Sequence, residues 1–455
     1  MSAFIFAYIS FISLLFIYFN GRSRAKEVLP GDVFMLIFGA TYGPWGFTRL
    51  YTEPMMGYIF AAEKVTQALI IYGTMCFSLG VGLLLWRTLI YSANSHRVGL
   101  APPLSHAGVS VTFKVLILSA LAMMAAYLSV PSIRHYIGDA IVYLRHNSVF
   151  SYSELRRIVY ADDFWIQDVV SRGRYTVAAG IFCLIIVIMG KRRNYLVIAS
   201  VVLPLFFIVT SITFHKMTYF VFFIYCILIF YKIRVEHRFT FIAKFIFGLL
   251  ATLALAVFML VLYFVQYRDV ASVDSAEREG TAIHRTFEAH PLALVIYADV
   301  FPSRHPFLYG ASNRQIARLT GREYVNAPAV AAEKQGAFTT FQPGFVGDAF
   351  ADFGLWGVVI YSIFVAFILV LIDRVYFGLP AFEFRAAFFA HAGMNSAWLI
   401  WSPAIVALVT GGVGFTIVGY ALLGRIFPRS YLWPANKPRF KSVTRAIDAP
   451  STTSN

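Results

Sequence analysis

Two polar stretches, residues 131–174 and 266–352, contain thirteen arginines but a single lysine, Lys334. Arginine presents a planar fork that grips phosphate or carboxylate through paired hydrogen bonds, whereas lysine is a hydrated point charge. Such a bias fits a site for an anionic ligand. The same stretches hold fifteen acidic residues against fourteen basic ones, so they form no bulk cationic surface and each arginine needs its own account. In the first stretch, Ser151 and Glu154 have the spacing of a capping box that starts a short helix. Arg156 and Arg157 follow on its first turns, then Asp162, Asp163 and Asp168. Arg172 and Arg174 come directly before an apolar run, at the height where a lipid diphosphate would lie. Local Arg–Asp pairing is the competing account of these four.

The second stretch is richer. His284 and Glu288 are four apart, on one helical face, close enough to act as base and orienting partner or to form part of a solvated face. Arg304 and His305 sit in a turn-rich, aromatic segment from Phe301 to Gly310, which suits sugar stacking and phosphate contact, or a loop lying on a membrane interface. Arg314 and Arg318 follow on a short helix. Asp348 and Asp352 are one turn apart and suit either acid–base work or capping of the following helix. Capping is the favoured role for Asp352, and the role of Asp348 stays open. Elsewhere, His215 and Lys216 occupy a very short turn between apolar runs, where Lys216 either holds a phosphate or snorkels to the interface. His391 and Asn395, one turn apart inside an apolar run, are expected to make a satisfied intramembrane hydrogen bond.

The elements that position these residues follow from composition. The chain has 455 residues, 59% hydrophobic and 13% charged, where soluble domains average about 25% charged. The apolar residues come in long runs, which predicts an all-α polytopic integral membrane protein. About eleven spans are expected, centred near residues 11, 40, 76, 120, 183, 204, 224, 255, 362, 395 and 414. The second is interrupted by Gly43, Pro44 and Gly46. Residues 1–430 read as one transmembrane domain including both polar stretches, and 431–455 as a basic tail expected to be disordered. Cys76, Cys183 and Cys226 all lie in apolar runs and read as packing residues. No metal, Walker or dinucleotide motif appears, so no cofactor is expected. The +15 charge does not point to nucleic acid, because the basic residues flank the spans. Of the 38 Lys and Arg, 21 fall in alternate, mostly short connectors and the tail, which assigns that face to the cytoplasm. The N-terminus and both polar stretches then lie outside and the C-terminus inside. No internal repeat is visible, which weighs against a transporter.

One stretch carries a resemblance. Pro343, Gly344, Gly347 and Asp348, followed by Asp352, Phe353, Gly354 and Gly357, lead into a late span. With the many spans and two large arginine-bearing loops, this pattern resembles the oligosaccharide repeat-unit polymerases of the Wzy type, over most of the chain. Asp348 stands where many members have Glu, and Asp352 where Asn is common. The resemblance implies a lipid-dependent glycosyltransferase architecture of the GT-C kind in the bacterial inner membrane. It implies polymerisation, at the periplasmic face, of oligosaccharide units linked to undecaprenyl diphosphate, with membrane lipids and a chain-length regulator as partners. Arg156, Arg157, Arg172, Arg174, Lys216, Arg304 and Arg314 would bind diphosphate or glycan. His284, Glu288, His305 and Asp348 compete as the general base. The O-antigen ligases, which transfer a finished glycan to a lipid A core, are the nearest rival class, and a lipid-linked sugar transporter a more distant one.

Overall fold

In lipid, a backbone can satisfy its polar groups within a single segment only as a helix. The computed structural model describes residues 2–20, 27–52, 60–92, 101–129, 174–210, 216–236, 289–335, 343–409 and 411–432. Among them nearly every ordered segment is helical, and β pairing is limited to one isolated bridge between Leu104 and Leu432. Among the described residues five helices are long and apolar enough to cross a membrane. They are α1 (Ser2–Asn20), α4 (Ala62–Ser92), α5 (His106–Ser129), α12 (Gly344–Gly378) and the stretch Ala404–Ile426, which comprises α15 (Ala404–Val409) and α16 (Val413–Ile426). The chain is therefore an all-α membrane protein.

Several expected spans take other forms. The one near residue 40 is a pair of short helices, α2 (Pro30–Tyr42) and α3 (Trp45–Thr52), separated by the extended Gly43. Thirteen residues of α2 rise about 20 Å, short of the roughly 30 Å hydrocarbon core. The α6 helix (Ala179–Met189, entered through a π turn at Arg174–Ala178), α7 (Arg193–Thr210) and α8 (Lys216–Phe230, with a π turn at Tyr231–Val235) fall where spans near 183, 204 and 224 are expected. The span near 255 lies outside the described residues. A further helix, α9 (Ala289–Val300), falls within the stretch expected to be a polar outer loop, yet every residue from Pro291 to Val300 is buried. It packs against α2, α3, α4 and α12. Its twelve residues are apolar nearly all round, which marks a core helix, not a surface one.

The core has two centres. The α4 helix lies between α1 and α12. Gly82 lets α12 approach so closely that a Cβ there would stand 2.8 Å from that of Ala366. The second centre is α13 (Phe382–Ser396), buried from Glu383 to Ser396 and surrounded by α2, α6, α8 and α16. Asn395 on α13 is hydrogen-bonded from neighbouring helices. Tyr225 donates to Asn395 Oδ1 at 2.8 Å, Asn395 Nδ2 donates to Thr416 at 3.1 Å, and Thr416 lies 3.3 Å from His391 Nε2. The hydrogen bonding expected of His391 and Asn395 is present, made through Tyr225 and Thr416. Cys76 and Cys183 are buried and Cys226 half-buried, all three as free thiols.

The connectors that the charge pattern groups on one face meet at one end of the bundle. Lys232 lies 2.7 Å from Glu236 and 3.4 Å from Glu27, and Lys191 lies 2.7 Å from Glu383. Ser105 N donates to Tyr431 O at 2.8 Å and Phe382 N to Pro102 O at 3.1 Å. Tyr431 and Leu432, the first residues of the stretch expected to be a free tail, are thus tied to the connector before α5.

Candidate functional site

The entry to α12 is shaped by glycine. Gly344 adopts φ 71°, a region closed to side chains at little cost only for glycine. A Cβ there would fall 1.8 Å from the Ile400 carbonyl oxygen, so α12 begins pressed against the backbone of α14 (Trp398–Trp401). Tyr42 donates to the Pro343 carbonyl at 3.3 Å from the other side. The helix then breaks at Phe353 and Gly354, the latter at φ 62° and ψ −146°. The part beyond the break, residues 355–378, rises about 36 Å and suffices to cross a bilayer. Gly344–Asp352 is accordingly a short, wholly buried helical segment at the end of that crossing.

The break removes the helical partners of the carbonyls before it, and buried carbonyls need replacements. A loop supplies them. Leu308 N donates to Ala351 O and Tyr309 N to Asp352 O, both at 2.9 Å. Ser312 donates through N at 3.2 Å and Oγ at 2.6 Å to the two carboxyl oxygens of Asp352. The Phe307 ring covers Gly354 and meets Phe350 edge-on. Asp352 was expected to cap the following helix; its carboxyl instead anchors this loop. Beyond the loop, Asn313 caps α10 (Arg314–Thr320), accepting from Gln315 N and Ile316 N. Gly321 ends α10, and α11 (Ala327–Lys334) follows.

Between this loop, α10, α11, the start of α12 and the turn after α14 lies a cavity of about 330 Å³. Asp348 lines it, and is only 5% exposed. Among the described residues no cation stands within ion-pair distance of Asp348. The buried Tyr297 hydroxyl lies near both Asp348 and Asp352 and interacts with the Asp348 carboxyl. Arg314 lines the same cavity from an exposed position, its guanidinium 4.9 Å above the Tyr324 ring. Gln315, Asn326 and Trp401 complete the polar and aromatic wall.

Two of the residues singled out from the sequence, Asp348 and Arg314, therefore meet in one place. Two others do not join them. Arg304 is held 2.7 Å from Asp299 and donates to Lys334 O at 3.2 Å. Lys64, 3.9 Å from Asp299, and Gln335, at 2.8 Å, complete that knot, which ties α4, α9 and α11 together. His305 turns its Nδ1 to Pro306 O at 2.8 Å and its ring edge against Phe301. Arg156, Arg157, Arg172, His284 and Glu288 lie outside the described residues, as do the side chains of Arg174 and Lys216, which open α6's π turn and α8. Among the described residues no three His, Cys, Asp or Glu side chains gather as a metal site. Trp401, Tyr324, Tyr297 and Asn326 were not singled out from the sequence. The one signal was local: Ser402-Pro403 stops the apolar run directly after Trp401.

No family model, curated protein or solved structure matches the chain. The class that the fold defines is an all-α protein with membrane-crossing helices and a buried carboxyl group in a cavity at the end of one crossing.

Proposed function

We propose that this chain is a membrane glycosyltransferase that polymerises oligosaccharide units carried on undecaprenyl diphosphate. The bacterial inner membrane is its proposed location, with its crossing helices in a GT-C-like arrangement, the N-terminus and the cavity outside and the C-terminus inside. One observation carries the proposal: the glycine-patterned stretch that bears the polymerase resemblance lines a cavity shared by Asp348 and Arg314. In the reaction, an acceptor hydroxyl oxygen bonds to the anomeric carbon of the lipid-linked donor. The bond from that carbon to the diphosphate oxygen breaks, and the diphosphate leaves on its lipid. Negative charge grows on the leaving oxygens, and a fixed guanidinium stabilises it. Arg314 is suited to this task by its position at the cavity mouth and its Tyr324 support, which limits the freedom of its planar head. The hydroxyl proton passes to a carboxylate, and Asp348 is the carboxyl that lines the cavity. Arg304 is assigned to holding the fold, because Asp299 occupies it. A chain-length regulator is a partner on this proposal.

The test is to replace Arg314 by Ala and by Lys and to follow the chain-length distribution of the surface glycan. Loss of long chains with single-unit caps retained is expected for Ala, with Lys intermediate, since a point charge replaces a fork. Normal chain lengths in the Ala variant would remove Arg314 from the reaction. Absence of any glycan on the lipid A core in a deletion strain would indicate a ligase instead.

A further inference from the structure

We infer that the cavity beside Asp348 is a pocket for one neutral sugar ring, the hydroxyl-bearing terminal residue of the acceptor, with Trp401 and Gln315 helping to select it. The inference rests on the proposed glycan chemistry but goes further, because it divides the substrate between two places. Volume sets the first limit. Ligand pockets span about 300–1,000 Å³, and 330 Å³ lies at the small end. That is room for one monosaccharide ring.

Charge sets the second limit. The lining includes Ser312, Gln315, Tyr324, Asn326 and Asp348, and the cation among the described lining residues is the exposed Arg314. A diphosphate placed against the buried Asp348 carboxyl would meet like charge, which favours the Arg314 side of the cavity for it. A sugar ring meets the opposite reception. Its hydroxyls both donate and accept, matching amides, a phenol and a carboxyl. Its C–H face can rest on apolar area, which Trp401, Pro403 and Val406 add to the lining. Asp348 is more than nine-tenths buried and lines the cavity, with the Tyr297 hydroxyl as its neighbour. A carboxyl group has several acceptor positions, so a ligand hydroxyl in the cavity can add a hydrogen bond to it. The diphosphate of the donor then stays outside, at Arg314, and the acceptor hydroxyl enters to meet Asp348.

The experiment uses the full chain in lipid nanodiscs. Methyl glycosides of glucose, mannose, rhamnose and N-acetylglucosamine are titrated by saturation-transfer NMR, and inorganic pyrophosphate is titrated separately. We expect saturable binding of at least one glycoside, weakened about tenfold or more in Asp348→Ala, as for loss of a hydrogen bond to a carboxyl group. Trp401→Leu should weaken it as well and change the order of preference among the glycosides. Leu319→Ser, on the exposed face of α10, should leave binding unchanged and reports on correct folding of the variants. Saturable binding that ignores both cavity substitutions overturns the inference, as does no saturable binding of any glycoside. Pyrophosphate that competes with a bound glycoside for the cavity also overturns it. Pyrophosphate binding that depends on Arg314 but not on Trp401 supports the division of the substrate. If glycoside binding fails while pyrophosphate binding still depends on Arg314, the sugar pocket falls and the diphosphate chemistry stands.

Discussion

Gly344 and Gly321 both adopt left-handed backbone, at φ 71° and 65°, yet alanine should affect them very differently. At either position the backbone penalty for a residue with a Cβ is about 1–2 kcal/mol. Around Gly321 nothing lies within 4 Å of the added methyl group, so that penalty is the whole cost. At Gly344 the methyl carbon would stand 1.8 Å from the Ile400 carbonyl oxygen and 2.7 Å from its carbon. Real Cβ atoms do not approach closer than 3.0 Å, so one backbone must yield by more than 1 Å. Overpacking of that kind adds about 1–3 kcal/mol. The displaced segment begins one turn before Asp348, and a misplacement of about 1 Å can cost about 10²-fold in rate. Thermal unfolding of the purified variants, followed by tryptophan fluorescence, reads the first effect. The length of surface glycan in a complemented deletion strain reads the second. Gly321→Ala should be mildly destabilised with normal chains, and Gly344→Ala markedly destabilised with few or none. Equal losses in the two variants, or wild-type behaviour of Gly344→Ala, would refute the idea that close approach to α14 sets the cavity.

Three further outcomes are expected. Lys232 is fully buried between Glu27 and Glu236, so Lys232→Met removes the cation that two buried carboxylates share and should cost about 3–5 kcal/mol, while adding Glu236→Gln should recover much of it; chemical denaturation of the single and double variants measures both. Ser312→Ala removes one hydrogen bond to the Asp352 carboxyl and should cost about 1.5–3 kcal/mol, with protease sensitivity rising in the loop before α10. Burial pulls the Glu27 carboxyl upward, but the Tyr376 hydroxyl, Lys232 and Arg385 outweigh it and hold it below the ordinary glutamate range. A depressed carboxyl contributes stability that is present above its unfolded value, about 4.3, and is lost as pH falls through its folded value. Melting curves from pH 6 down to pH 3 should therefore drop less steeply in Glu27→Gln than in the parent chain.

Much of the membrane character was legible in the sequence because it is local. Hydropathy over some twenty residues decides whether a segment can cross, and α1, α4, α5 and α12 announce themselves that way. The punctuation at Gly43 and Pro44 told of an interruption but not of its consequence, two helices each too short to span. The buried α9 is hidden in the sequence because a mostly apolar twelve-residue segment between charged neighbours looks like part of a loop until other helices cover it. For the site, residue type alone singled out Asp348 and Arg314, and also Arg304 and His305, with no means of separating them. That separation came from the contacts each makes: Asp299 and Lys334 O hold Arg304, Pro306 O and Phe301 hold His305, and Asp348 and Arg314 line a cavity walled by α12 and the turn after α14.

Composition, spacing and charge determined that this is a helical membrane protein, which segments are apolar, and which side chains have the chemistry to matter. Those are properties of short windows, set by the solvent each window prefers. Only the tertiary structure decided which arginine is spent on Asp299 and which faces a cavity, and that Asp352 anchors Ser312, 40 residues away, while Asp348 is left to the cavity. It also decided that Lys232 finds Glu27 across 205 residues of chain. The reason is physical: a buried polar group must be matched by whatever packing brings within hydrogen-bond reach, and that is fixed by contacts between helices, not by neighbours in sequence.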